Sequence, residues 1–289
     1  MSGRWFCGKS ICLARIDFFV ASVYTGCTLF IALIPMKTKI IAVTNQKGGV
    51  GKSTLAFHLA HAAVQAKGGR VLCLDLDSQG NLSQYMTGQM DVIDDTEGGV
   101  GLLFDGKAFV PTPTMHPQID LLHGHSKLDR YDNDQDAEER AYSPELPTLL
   151  RSLGYDFVII DTPPAVGLRQ LAALSWADVA VIPMEPVMSA IGGFQNVLNA
   201  IDQFIAPINP SLRWVGVMNR ANMRVKSQRE KDAWIRGKYG ALILATLASR
   251  SAVSDAMEES PAQPVWLRKS ASKSLRDQWR ISCEQVLHS

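Results

Sequence analysis

The 289-residue chain has only five cysteines, and none sits in a C-x-x-C pair or at the spacing of a metal-ligand set. That excludes a cysteine-built zinc or iron–sulfur site and favours a reducing cytosol over a disulfide-stapled fold. Surplus charge is also scarce: the formal net charge is +1 and charged residues make up 20% of the chain. No internal repeat and no long low-complexity tract occurs, so nothing points to a repeat architecture. With 46% hydrophobic residues the chain can bury a full core, most simply one α/β domain.

The first 35 residues differ from the rest. Phe18 to Ile34 reads FFVASVYTGCTLFIALI, almost wholly apolar, behind Arg4, Lys9 and Arg15. Such a run resembles a signal peptide or short membrane anchor. Met36 stands just before the first strand of the domain, and an exported nucleotide-binding loop would meet no ATP. Residues 1–35 are therefore read as an over-extended start with Met36 as the true first residue, a membrane anchor, or an ordered extra element. Residues 36–289 are read as a single domain.

Downstream, continuous apolar runs alternate with helical spacing. Strands are expected near 39–44, 70–76, 119–123, 156–160, 178–183, 213–218 and 241–245, and helices near 53–67, 137–153, 166–176, 188–205, 225–239 and 268–286. Runs such as FVII at 157–160 and VAVI at 179–182 are typical of strands buried on both faces. The expected fold is α/β: a mostly parallel, twisted sheet with helices on both faces. Ligands in such sheets bind at the carboxyl ends of the strands.

The loop after the first of these strands reads NQKGGVGKST at 45–54. A Gly-rich loop between a strand and a helix is the context in which this pattern binds phosphate. The amides of Gly48, Gly49, Val50 and Gly51 can turn towards an anion because glycine tolerates positive φ. Lys52 would reach the β- and γ-phosphates, with the Ser53 hydroxyl on Mg²⁺ and Thr54 completing the motif. The strict pattern wants glycine at position 46, where this chain has Gln46, and it carries a second lysine, Lys47. The loop is thus a deviant Walker A version, a P-loop with an extra lysine.

Two later loops supply carboxylates. Asp75 and Asp77, in DLDSQGN, fall on one side of a strand end by alternation, where one could orient the attacking water and the other support a metal shell. Asp161, in VIIDTPP, ends an apolar run and matches the second carboxylate with which P-loop ATPases hold Mg²⁺.

With KGGVGKST at 47–54, DLDSQGN at 75–81 and VIIDTPP at 158–164 in the same order, the chain resembles the ParA/MinD family of deviant Walker ATPases, most like ParA. The resemblance runs from about Met36 to the C-terminus. It implies ATP and Mg²⁺ as cofactors, slow and partner-stimulated ATP hydrolysis, and an ATP-dependent homodimer in which Lys47 reaches the phosphates of the opposite subunit. It also implies that Asp77 positions the water and joins Ser53 and Asp161 around the metal, Asp161 through water, and that Asn219 contacts adenine. The chain departs from the family at Ser78, where proline is usual, and at Leu247–Arg250, where Ile-Pro-Arg is frequent.

Charge is polarised along the chain: residues 213–280 hold 14 Lys and Arg against 6 Asp and Glu, while 129–145 hold 7 acidic against 2 basic. Arg220, Arg224, Lys226 and Arg229, with Arg250, Arg268 and Lys269, are the candidates for sequence-independent contact with DNA phosphates. The expected function is segregation of plasmid or chromosomal DNA with a ParB-like centromere-binding partner, in a cytoplasmic, nucleoid-associated protein. The rivals are a ParA-like ATPase positioning a protein cargo through an adaptor, and a MinD-like membrane ATPase. The tail carries Leu275, Trp279, Cys283 and Val286 as a narrow apolar stripe that suits core packing better than a membrane.

Overall fold

A computed structural model describes residues 18–25, 28–35, 38–89 and 98–289. Met36, read above as a start, and Cys7, Cys12 and Cys27 lie outside the described residues. Within the apolar run, β1 (Phe18–Thr25) and β2 (Thr28–Pro35) pair antiparallel as a separate two-stranded sheet. Their β-branched and aromatic content suits strands. Among the described residues no helix is long and apolar enough to cross a membrane.

The domain follows in the order β3 (Lys39–Val43), α1 (Lys52–Lys67), β4 (Val71–Asp75), α2 (Asn81–Thr87), α3 (Gly101–Asp105), β5 (Thr112–Pro113) and β6 (Ile119–Leu122). After a 3₁₀ segment at Ser126–Asn133 come α4 (Gln135–Ala141), α5 (Glu145–Ser152), β7 (Phe157–Asp161), α6 (Leu168–Trp176), β8 (Val179–Met184) and α7 (Met188–Ala200). The chain closes with β9 (Arg213–Ala221), α8 (Lys226–Tyr239), β10 (Ile243–Ala248), α9 (Ser251–Glu258) and α10 (Lys273–His288).

Eight strands form one sheet in the order β10-β9-β8-β3-β7-β4-β6-β5, and every pair but β5–β6 is parallel. The strands β3, β4, β7 and β8 are buried almost throughout, as their uninterrupted apolar runs require. One face packs on α1 and α10 through Leu55, Leu59, Trp279 and Val286. The other packs on α3 to α6 through Phe104, Tyr131 and Trp176, and on α7 and α8 through Phe194 and Ile235.

Several boundaries depart from the sequence expectation. The helix expected at 137–153 is two helices, because Ser143-Pro144 interrupts the backbone ladder. The strand expected at 241–245 begins at Ile243, after a 3₁₀ turn at Gly240–Leu242. It alternates buried and half-buried residues as an edge strand does. The last helix starts at Lys273, not 268, because the Ser272 side chain accepts from Leu275 N–H at 3.3 Å and caps it. The helices α2, α3 and α9 have no counterpart in the sequence expectation; at eight residues or fewer their periodicity is too short to register.

Candidate phosphate and metal site

The carboxyl ends of the central strands place the three motif loops side by side. The chain leaves β3 through Thr44, whose N–H binds Val181 O on β8 at 2.9 Å. Asn45 then donates to Pro183 O (2.8 Å) and accepts from Lys47 N–H (2.8 Å), folding the loop back over the sheet. Gly49 and Gly51 have φ of 79° and 89°, a conformation open to glycine and costly for other residues. Gly51 is the residue immediately before α1, so the loop leads directly into a helix N-terminus.

The two lysines of the loop part company. Lys52 is buried and its pKa is lowered, chiefly by burial, with Asp161 and Asp77 pulling it back up. Lys47 is exposed, and its ammonium makes no ion pair or hydrogen bond among the described residues. One lysine belongs to the interior of its own site and the other to its surface.

Asp161 ends β7 beside β3 and is fully buried, and neither of its oxygens has a well-formed hydrogen bond. Burial raises its pKa well above the usual carboxylate range, Asp75 adds to this, and the neighbouring Ser53 hydroxyl and Lys52 oppose it. A buried carboxylate so sparsely hydrogen-bonded is costly unless a cation completes it. Together with the Ser53 hydroxyl it offers hard oxygen donors of the kind Mg²⁺ takes. Among the described residues no cluster of three His, Cys, Asp or Glu side chains could cage a metal. A cation here would draw its remaining ligands from phosphate and water.

Asp75 and Asp77 have separate roles. Asp75 accepts from the Ser83 N–H (2.8 Å) and hydroxyl (2.7 Å) and from Asp77 N–H (3.2 Å). Burial still lifts it to about 6, with the Ser83 bonds opposing. Its carboxylate is committed to anchoring α2, which corrects the expectation that both aspartates could serve water and metal. Asp77 is mostly buried, accepts from Gln79 N–H at 3.1 Å and lies close enough to Lys52 to act on its charge. Two residues on α6, invisible as site residues in the sequence, brace these loops. Arg169 donates to Leu76 O (3.0 Å) while bound to Asp129 and Asp132, and Gln170 donates to Thr44 Oγ1 (2.9 Å).

Asn219, at the end of β9, is buried against the loop: Nδ2 donates to Val50 O at 2.8 Å and Oδ1 accepts from Arg220 N–H at 2.9 Å. One hydrogen and one lone pair of its carboxamide remain for an adenine edge. It lines a cavity of about 220 Å³ with Gly51, Thr54, Tyr85, Ser249 and Arg250. Tyr85 comes from α2, so no strand-end motif announced it. A larger groove of about 750 Å³, lined by Leu102, Phe109, Glu139 and Leu146, shares no residue with the motif loops.

The basic candidates divide. Arg224, Lys226, Arg229 and Lys269 are exposed, with Lys226 at 3.8 Å from Glu230; Arg229 folds onto the carbonyls of Met223 and Arg224 (2.9 and 3.0 Å). Arg250 is exposed at the start of α9 and donates to Ser249 O. Two depart from the expected DNA face. Arg268 is paired with Glu259 (2.7 Å) and Asp255 (3.6 Å), which neutralise it. Arg220 turns onto the phosphate loop, donating to Gly49 O at 2.6 Å.

A family model described as an AAA domain matches residues 38–214. The chromosome-partitioning ATPase Soj of Thermus thermophilus is 32% identical over 221 residues, which covers 76% of this chain and 84% of the relative. The chain belongs to the ParA/MinD family of P-loop ATPases. Similar folds, at lower identity, include apo McdA of Cyanothece (TM-score 0.74, 17% identical, covering 86% of this chain and 99% of that one). A Borrelia burgdorferi plasmid partition protein bound to AMPPNP has a TM-score of 0.70 at 22% identity, covering 87% and 99%.

Proposed function

We propose that this family member binds ATP–Mg²⁺, closes into a nucleotide-bound homodimer, binds DNA without sequence preference and drives segregation of plasmid or chromosomal DNA with a ParB-like partner. The observation that carries the reading is the division of the loop lysines, Lys52 buried beside Asp161 and Asp77 and Lys47 exposed and unpaired. A lysine with no phosphate to serve in its own site suits one supplied in trans. Partition rests on the relatives, since Soj is a chromosome-partitioning ATPase.

In this reading the Gly48–Lys52 amides and the Lys52 ammonium hold the phosphate oxygens, and Ser53 and Asp161 hold the metal. Bound Mg²⁺ neutralises charge on the phosphates. Asp77 orients the attacking water, and turnover is slow in a lone chain because Lys47 completes the site only across the dimer. Asn219 and the cavity beside it take the adenine. Arg224, Lys226, Arg229 and Lys269 supply phosphate contacts to DNA, each contact adding roughly 0.9 to the salt slope. The protein would be cytoplasmic and nucleoid-associated, with residues 36–289 as the ATPase unit and 1–35 as an apolar extension. Burial of Leu275, Trp279, Cys283 and Val286 in the core speaks against a membrane-binding C-terminal helix.

A gel-shift titration tests the DNA role. With ATP, wild type should bind two unrelated duplexes equally, and charge reversal at Arg224 and Arg229 should weaken both while leaving ATP affinity intact. Strong preference for one duplex, or equal binding by the reversed variant, defeats it.

A further inference from the structure

Arg220 is, among the described residues, the one non-glycine residue with positive φ, 50°, a backbone region that ordinary side chains disfavour. Its contacts hold it there. Its Nη1 donates to Gly49 O at 2.6 Å and lies 3.4 Å from Glu185 Oε1, and its N–H donates to Asn219 Oδ1 at 2.9 Å. Asn219 Nδ2, so oriented, donates to Val50 O at 2.8 Å. Two consecutive carbonyls of the phosphate loop are thereby taken from the β9 side. In a trans peptide the N–H points opposite to the C=O, so the N–H groups of Val50 and Gly51 are turned the other way. The packing is close: a Cβ on Gly51 would stand 2.4 Å from Asn219 Nδ2.

We infer that Arg220 is a positioning residue of the phosphate loop, capping Gly49 directly and Val50 through Asn219 so that the loop's amides face the phosphates. The inference rests on the nucleotide reading above. It separates Arg220 from Arg224, Lys226 and Arg229, whose hydrogen bonds and ion pairs among the described residues lie within their own segment. Half of its side chain is exposed, so its removal should leave the fold in place.

Calorimetric titration with Mg·ADP and the ³¹P resonance of the bound β-phosphate test it in wild type, Arg220→Ala, Arg220→Gly and Arg220→Lys. Ala and Gly should weaken binding roughly tenfold, the effect of one charge-assisted hydrogen bond on a half-exposed group, and shift the resonance. Lys, keeping a single donor for Gly49, should recover most of the affinity and the wild-type shift. The melting temperature of the ligand-free Ala variant should stay within about 2 °C of wild type. Wild-type affinity and resonance in Ala, or in Gly, where the positive φ is no longer disfavoured, would overturn the inference; should Ala fail to fold, Gly and Lys decide by the same criteria. A wild-type protein that does not bind Mg·ADP would instead remove the nucleotide reading itself, and this inference with it.

Discussion

Acidification should destabilise this protein through His58, a fully buried residue on α1. Its Nδ1 lies 2.7 Å from Thr54 O, and its Nε2 lies 3.1 Å from Val265 N. A carbonyl can only accept and an N–H can only donate, so the ring is the neutral Nδ1–H tautomer. A second proton would point Nε2–H at Val265 N–H, in a pocket closed by Trp279 and Trp266 at 4.4 and 5.3 Å. Burial accordingly lowers the pKa from 6.5 to about 3, with the Thr54 contact opposing and His61 adding to the fall. The folded value is depressed, so the unfolded chain takes up the proton first. Stability is intact above about 6.5 and is lost progressively as pH falls towards 3. At pH 5 the loss is the 1.5 pH steps below the unfolded value, about 2 kcal/mol at 1.36 kcal/mol each. Urea unfolding by circular dichroism at pH 7 and pH 5, in wild type and His58→Gln, isolates this contribution. Asp75 and the remaining histidines titrate in both proteins and cancel in the difference. The variant starts less stable but should lose about 2 kcal/mol less on acidification. An equal pH dependence in the two proteins, or an imidazole that titrates near 6.5 by NMR, would refute the argument.

Asp161→Asn should raise the ligand-free melting temperature, since a folded-state pKa raised by burial means that the charged form costs stability at neutral pH; the same variant should lose Mg²⁺-dependent nucleotide binding. A lower melting temperature would contradict this. Lys52→Ala should abolish ATP binding, whereas Lys47→Ala should bind ATP and remain monomeric by light scattering; a Lys47 variant that dimerises normally rules out the trans role. Asp77→Ala should bind ATP without turning it over, and unchanged hydrolysis would remove Asp77 from the site. Gly193→Ala, whose Cβ would stand 2.5 Å from Asn45 Oδ1 and 3.2 Å from Lys47 N, should displace the loop entry and weaken nucleotide binding several-fold, as fluorescence titration would reveal.

The sequence by itself determined the sheet, the glycine-rich loop after β3 and the carboxylate that ends β7. Continuous apolar runs such as FVII and VAVI suit strands buried between two helical layers, and the strand–glycine–lysine–helix order marks Lys52 and Ser53 as phosphate and metal candidates. Both signals are local, carried by neighbours in the chain. What only the tertiary structure decided depends on groups that are not chain neighbours, from 8 to 171 residues apart. Asp75 reads like Asp77 until Ser83 claims it, and Arg268 reads like Lys269 until Asp255 and Glu259 neutralise it. Arg220 reads as part of a basic surface until β9 carries it to Gly49, 171 residues earlier. Arg169 and Gln170 read as ordinary helix residues, yet burial gives them partners on two other loops. A side chain's charge is written in the sequence, but whether that charge meets solvent, a carboxylate or a carbonyl is set by packing, since the energy of a polar group depends on what surrounds it.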